Sequence, residues 1–111
     1  MKKFAYTFPI PKNNIDEWLQ FAEEVKTSKR KEFSAMHARI GVTKESWHLQ
    51  DTEDGYLVVV YTEADDEQFL ERFKNDNSEF SDWFREKVSD LQNVDLNEST
   101  VMSEMVLDWE E

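Results

Sequence analysis

Four stretches of this chain carry the spacing of extended strands, and the segments between them carry helical spacing. From Lys3 to Ile10, Phe4, Tyr6 and Phe8 alternate with Ala5 and Thr7, which predicts a first strand ended by Pro9 and Pro11. Ile15, Trp18, Leu19, Ala22, Val25, Phe33, Met36 and Ile40 then recur at three- and four-residue steps. They predict a long amphipathic helix, N-capped by Asn14, interrupted around Thr27 to Lys31 and C-capped at Gly41.

Lys44 to Gln50 and Tyr56 to Thr62 read as a hairpin joined by a polar turn that ends at Gly55. The second arm is apolar on both faces, with Leu57, Val59 and Tyr61 opposed to Tyr56, Val58 and Val60, as expected of a central strand. A helix in two pieces follows, first with Phe69, Leu70 and Phe73, then from Ser78 with Phe80, Trp83, Phe84, Val88 and Leu91. Val101 to Trp109 reads as a last strand.

This order, βαββαβ, predicts a single α+β domain over residues 1–111 of ferredoxin-like type. Its four-stranded antiparallel sheet carries both helical layers on one face if the crossovers are right-handed. Strand three is too apolar to leave the opposite face in water, so a second copy is expected to cover it. The result is a homodimer built as a dimeric α+β barrel.

Charge narrows the partners. The net charge of -12 disfavours nucleic acid and anionic membrane surfaces. The acids are spread along the chain, the pattern of a solvated surface; the sharper alternative is an acidic interaction protein that binds a basic partner. The chain has no Cys, which removes disulfides, thiolate catalysis and Cys-ligated zinc. No apolar run approaches a membrane span, and the expected location is cytoplasmic.

Chemistry-bearing residues are few. His48 alternates with Trp47 and shares a face with Ser46 and Gln50. If Trp47 and Leu49 pack under the helices, His48 faces the barrel interior and is the candidate general base; the plainer alternative is a hydrogen-bonded strand histidine. His37, with Arg39, reads as a cation near a helix C-terminus. Lys26, Lys29, Arg30 and Lys31 form a basic cluster interleaved with glutamates at helical spacing. A buried Glu45 needs a basic partner, with Arg39 the candidate. Tyr6, Trp47, Tyr61 and Trp83 are candidate walls for a hydrophobic or aromatic ligand, with core packing as the alternative. No metal site, cofactor motif, phosphate loop or nucleophile elbow is present in the pattern, and no motif assigns a reaction.

The runs Arg39 to Gln50, Gly55 to Tyr61, Phe80 to Glu86 and Val94 to Leu96 resemble a group of small uncharacterised bacterial proteins of the dimeric α+β barrel superfamily. The resemblance implies the fold and dimer above, with no assigned activity. The wider superfamily holds ligand-sensing modules, cofactor-independent monooxygenases and isomerases, and fold alone does not choose among them. The expected function is a small-ligand-binding homodimer. The alternative is a cofactor-independent monooxygenase or isomerase acting on a hydrophobic molecule.

Overall fold

In the computed structural model, which describes residues 1–96, 98 and 101–111, three strands form one antiparallel sheet in the order β1-β3-β2. These are β1 (Lys2–Ile10), β2 (Val42–Thr52) and β3 (Gly55–Ala64). Among the described residues four α-helices, α1 (Ile15–Lys26), α2 (Arg30–Ile40), α3 (Phe69–Asn75) and α4 (Glu79–Gln92), and a single 3-10 turn, Lys12–Asn14, complete the fold. It is an α+β fold with the doubly apolar strand β3 at the centre of the sheet.

One face of the sheet carries the core. Tyr6 and Ile10 of β1, Val58, Val60, Thr62 and Ala64 of β3, and Trp47 of β2 all turn toward the helices. Trp47 stacks on Phe21 of α1 at 5.8 Å and meets Phe33 of α2 and Phe84 of α4 at 6.0 Å. Phe69 of α3 packs on Phe4 of β1 at 4.8 Å. Thus all four helices pack on the same sheet face. Leu57, Val59 and Tyr61 of β3 are half-buried on the other face, without helical cover.

A bulge decides which side chains of β2 point inward. Val42 pairs with Ala64 and Lys44 with Glu63, so Thr43 is an extra residue on β2. Strand residues alternate faces, so one inserted residue exchanges the two sets. Val42 is buried before the bulge; after it Glu45 and Trp47 face the helices, and Lys44, Ser46 and His48 face away.

Several expectations need correction. The long helix does break where its pattern is interrupted: at Thr27 the backbone leaves the helical region (φ -118°, ψ -88°), and α2 starts at Arg30. Its buried stripe contains Phe21, while Leu19 is 48% exposed. Trp18, Phe21, Ala22 and Val25 lie three and four residues apart, whereas Leu19 sits about 100° around the helix from Trp18. Asn14 makes no capping bond; its side-chain amide instead donates to the Leu91 carbonyl at 3.1 Å, tying the start of α1 to the end of α4. Pro9 lies inside β1 rather than ending it. Ala5 accepts a bond across the outer edge of β1, and Pro9 is in phase with Ala5, so its missing N–H removes no bond to β3. Gly41 does take the left-handed conformation at the end of α2, with φ 80°. Ser78 caps α4 by accepting from the Ser81 backbone N–H.

Among the described residues the sheet has three strands where the pattern predicts four. Val101 to Glu111 take no regular secondary structure, although they run beside β1. Ser103 N–H donates to the Ala5 carbonyl at 3.3 Å, Asp108 meets the Lys3 ammonium at 3.1 Å, and Met102 packs against the core. Val101, Val106, Leu107 and Trp109 are exposed. With only Met102 packed against the core, burial does not offset the entropy of fixing an extended chain.

Candidate functional site

Between the sheet and the helices the packing leaves a cavity of about 80 Å³, lined by β1, β2, β3, α2, α3 and α4. Most of its wall is apolar, with Val58 and Val60 below, Phe69 and Phe73 of α3 on one side, and Phe84 and Val88 of α4 on another. The exceptions lie mainly on β1, β2 and α2. They form a connected polar group.

Glu45 is the centre of that group. Its Oε2 accepts from the Trp47 indole N–H at 2.8 Å, and its Oε1 accepts from the Thr62 hydroxyl at 3.3 Å. Thr62 lies 3.1 Å from the Tyr6 hydroxyl, which makes a chain Tyr6–Thr62–Glu45. Burial, and next the nearby Glu45 carboxylate, push the Tyr6 phenol well above its ordinary value of 10.0, so Tyr6 is a neutral donor.

His37 approaches from α2. Its Nδ1 is 2.9 Å from the Phe33 carbonyl one helical turn earlier, an acceptor only, so that nitrogen carries the proton. Its Nε2 lies 3.2 Å from Glu45 Oε1, with the two side chains 12% and 13% exposed. The approach is off the line of a hydrogen bond, and Nε2 is buried without a hydrogen-bond partner among the described residues. An imidazole nitrogen and a carboxylate oxygen thus sit side by side in the cavity wall. Groups in this condition are costly unless something satisfies them.

The predicted site residues do not gather in one place. Tyr6, Trp47 and Glu45 line this cavity. Tyr61 is on the helix-free face, where its hydroxyl donates to Glu63 Oε2 at 2.6 Å. His48 is also on that face, exposed, with Nε2 2.9 Å from Ser46 Oγ. Trp83 packs between Phe21 and Phe80, with the Lys29 ammonium 4.9 Å from its ring centroid. Arg39 is not the partner of Glu45: its guanidinium grips Asp76 with two 2.9 Å bonds and also reaches Ser78. The partner is His37, which the sequence reading places at a helix end as a surface cation. Its spacing held the signal, four residues after Phe33 and three before Ile40, inside the inward stripe of α2.

His37 and Glu45 are two donors, short of the three protein ligands that a catalytic zinc uses. Among the described residues no three His, Asp or Glu side chains gather as a metal site. No helix among them is long and apolar enough to cross a membrane. No family model matches the chain, and neither a curated protein nor a solved structure matches it. The functional reading therefore rests on this geometry.

Proposed function

We propose that this chain is a small-ligand-binding protein, and that the ligand enters the cavity between sheet and helices. The observation that carries the reading is the Tyr6–Thr62–Glu45–His37 group, which brings Tyr6, Glu45 and His37 to the mostly apolar wall of an 80 Å³ cavity. Preformed apolar pockets with a few convergent polar groups are the usual form of a small-molecule site. A volume of 80 Å³ admits a body of a few non-hydrogen atoms, below the roughly 150 Å³ that takes benzene. The ligand has a short apolar body and one polar end.

The assembly is part of the proposal. The order β1-β3-β2, with residues 101–111 beside the outer edge of β1, supports a ferredoxin-like unit whose fourth strand is unzipped. The half-buried Leu57, Val59 and Tyr61 favour a second copy on the helix-free face, in the manner of a dimeric α+β barrel. His48 and Ser46 would then face the interface. Light scattering at micromolar concentration is expected to give twice the monomer mass, and the monomer mass would remove the dimer.

The binding test is a thermal-shift and NMR titration with short-chain alcohols, acids and amines. At about one hundred times its dissociation constant a ligand adds roughly 2.7 kcal/mol of stability. Leu70→Trp, which fills the cavity from α3, is expected to abolish the shift. Absence of binding by every class, or binding unaffected by Leu70→Trp, would overturn the reading.

A further inference from the structure

We infer that residues 101–111 anchor the contact with a second copy, with Leu107 and Trp109 reaching onto the partner's helix-free face. This rests on a second copy covering that face and names what else the contact uses. Val101, Val106, Leu107 and Trp109, four large apolar side chains within nine residues, are between 75% and 88% exposed. Single exposed apolar side chains are ordinary on a monomer, whereas a cluster of them beside an open sheet marks a contact surface. The segment also has a definite place. The Asp108 carboxylate meets the Lys3 ammonium at 3.1 Å. Lys3 is paired with Glu63 and in phase with Ala5, so it stands on the helix-free face. Leu107 and Trp109 flank Asp108 in the chain and are thereby held at the rim of that face.

Area and charge both call for the segment. The sheet has three strands, and β1 has nine residues. At about 3.4 Å per residue and about 4.8 Å per strand, the helix-free face projects about 440 Å². A stable interface takes roughly 800 Å² from each partner. Trp109, with about 150–250 Å² to bury, and its apolar neighbours supply most of the difference. Two copies at a net charge of -12 repel each other except where local charge permits approach. On the strands of the helix-free face Lys3 and Lys44 stand against Glu63, two lysines to one glutamate. The segment carries Glu104, Asp108, Glu110 and Glu111. The segment of one copy is therefore attracted to the face of the other. The contact is made by side chains and adds no backbone bond to β1.

The test is sedimentation equilibrium of the intact chain and of single variants, which gives the dimer dissociation constant. Leu107 and Trp109 are too exposed to support the folded monomer, so Leu107→Ser and Trp109→Ser should keep the parental circular dichroism. An isologous contact uses each residue twice, and a Trp anchor is a frequent hot spot, so Trp109→Ser should weaken the dimer at least about tenfold. Leu107→Ser should weaken it in the same direction. Leu19→Ser removes an exposed apolar side chain from α1, on the helix layer, and should leave the constant unchanged. Dilution of the parent through its dissociation constant should also shift tryptophan emission to longer wavelength, and Trp109→Ser should lose that shift. A dimer whose affinity neither segment variant changes overturns the inference and leaves the dimer standing. Equal weakening by Leu19→Ser overturns it too, as does emission that dilution does not move. A monomer at every concentration would sink both the inference and the dimer.

Discussion

Trp47 donates its indole N–H to Glu45 two residues earlier on the same strand face, at 2.8 Å. One side chain thus serves both the core and the site. Its ring stacks on Phe21, and its nitrogen holds the carboxylate against the cavity wall. Trp47→Phe keeps a ring for Phe21 and removes the donor. Glu45 then loses a bond inside a poorly solvated wall, at a cost of about 1–3 kcal/mol. Urea unfolding followed by circular dichroism is expected to show that loss, together with weaker ligand binding. Unchanged stability would mean that the bond is not formed in solution.

That arrangement depends on Thr43, which carries no site chemistry. Without the extra residue, the inward set of β2 beyond Val42 would be Lys44, Ser46 and His48. Deleting Thr43 forces either this exchange or the ejection of buried Val42. Loss of cooperative unfolding is the expected result. Thr43→Val keeps the bulge and removes only a 3.4 Å contact with the Glu63 carbonyl, so its stability should stay within about 0.5 kcal/mol of the parent. Cooperative unfolding of the deletion at parental stability would show that β2 does not need the bulge.

The same residue explains what was legible in the chain. Alternation in β1 and two-sided apolarity in β3 place both strands correctly, because each pattern depends on its own strand. Gly41 and Ser78 mark helix ends through local backbone chemistry. The partner of Glu45 is a different matter. It depends on the phase of β2 after a bulge that no turn residue announces, and on the angle at which α2 crosses the sheet. Arg39, nearer to Glu45 in sequence, is taken by Asp76, 37 residues away. Val101 to Trp109 has strand spacing, yet spacing reports what a segment would bury and not whether a neighbour is there to bury it.

Arg39 and Asp76 hold the end of α2 to the α3–α4 junction. The bond from Arg39, aided by the Ser81 and Ser78 hydroxyls, holds the Asp76 carboxyl well below its ordinary value of 3.8. A lowered folded value means that the stabilisation is complete above the unfolded value and disappears as pH falls through the folded one. Asp76→Asn is therefore expected to cost about 1–2 kcal/mol near neutrality, at the low end because Arg39 is half in water. The gap between variant and parent should narrow below about pH 4, where the unfolded chain takes up the proton. Thermal unfolding between pH 7 and pH 2 checks this, and a gap that does not change with pH would refute it.

The outer edge of β1 gives the last prediction. Residues whose backbone groups face β3 alternate with residues whose groups face outward, and Ala5 belongs to the outward set because its carbonyl accepts from Ser103. Lys3 and Thr7 share its phase. The chain beside them supplies one backbone bond, among the described residues, and leaves most of its apolar side chains in water. Opening that contact exposes little additional apolar surface, so it should occur far more often than global unfolding. Amide hydrogen exchange is expected to alternate along β1, slow at Phe4, Tyr6 and Phe8 and fast at Lys3, Ala5 and Thr7. Removing residues 101–111 should leave the slow set unchanged, because β3 alone protects it. Equal protection of both sets in the full chain would show that the C-terminal segment is zipped onto β1 as a fourth strand in solution.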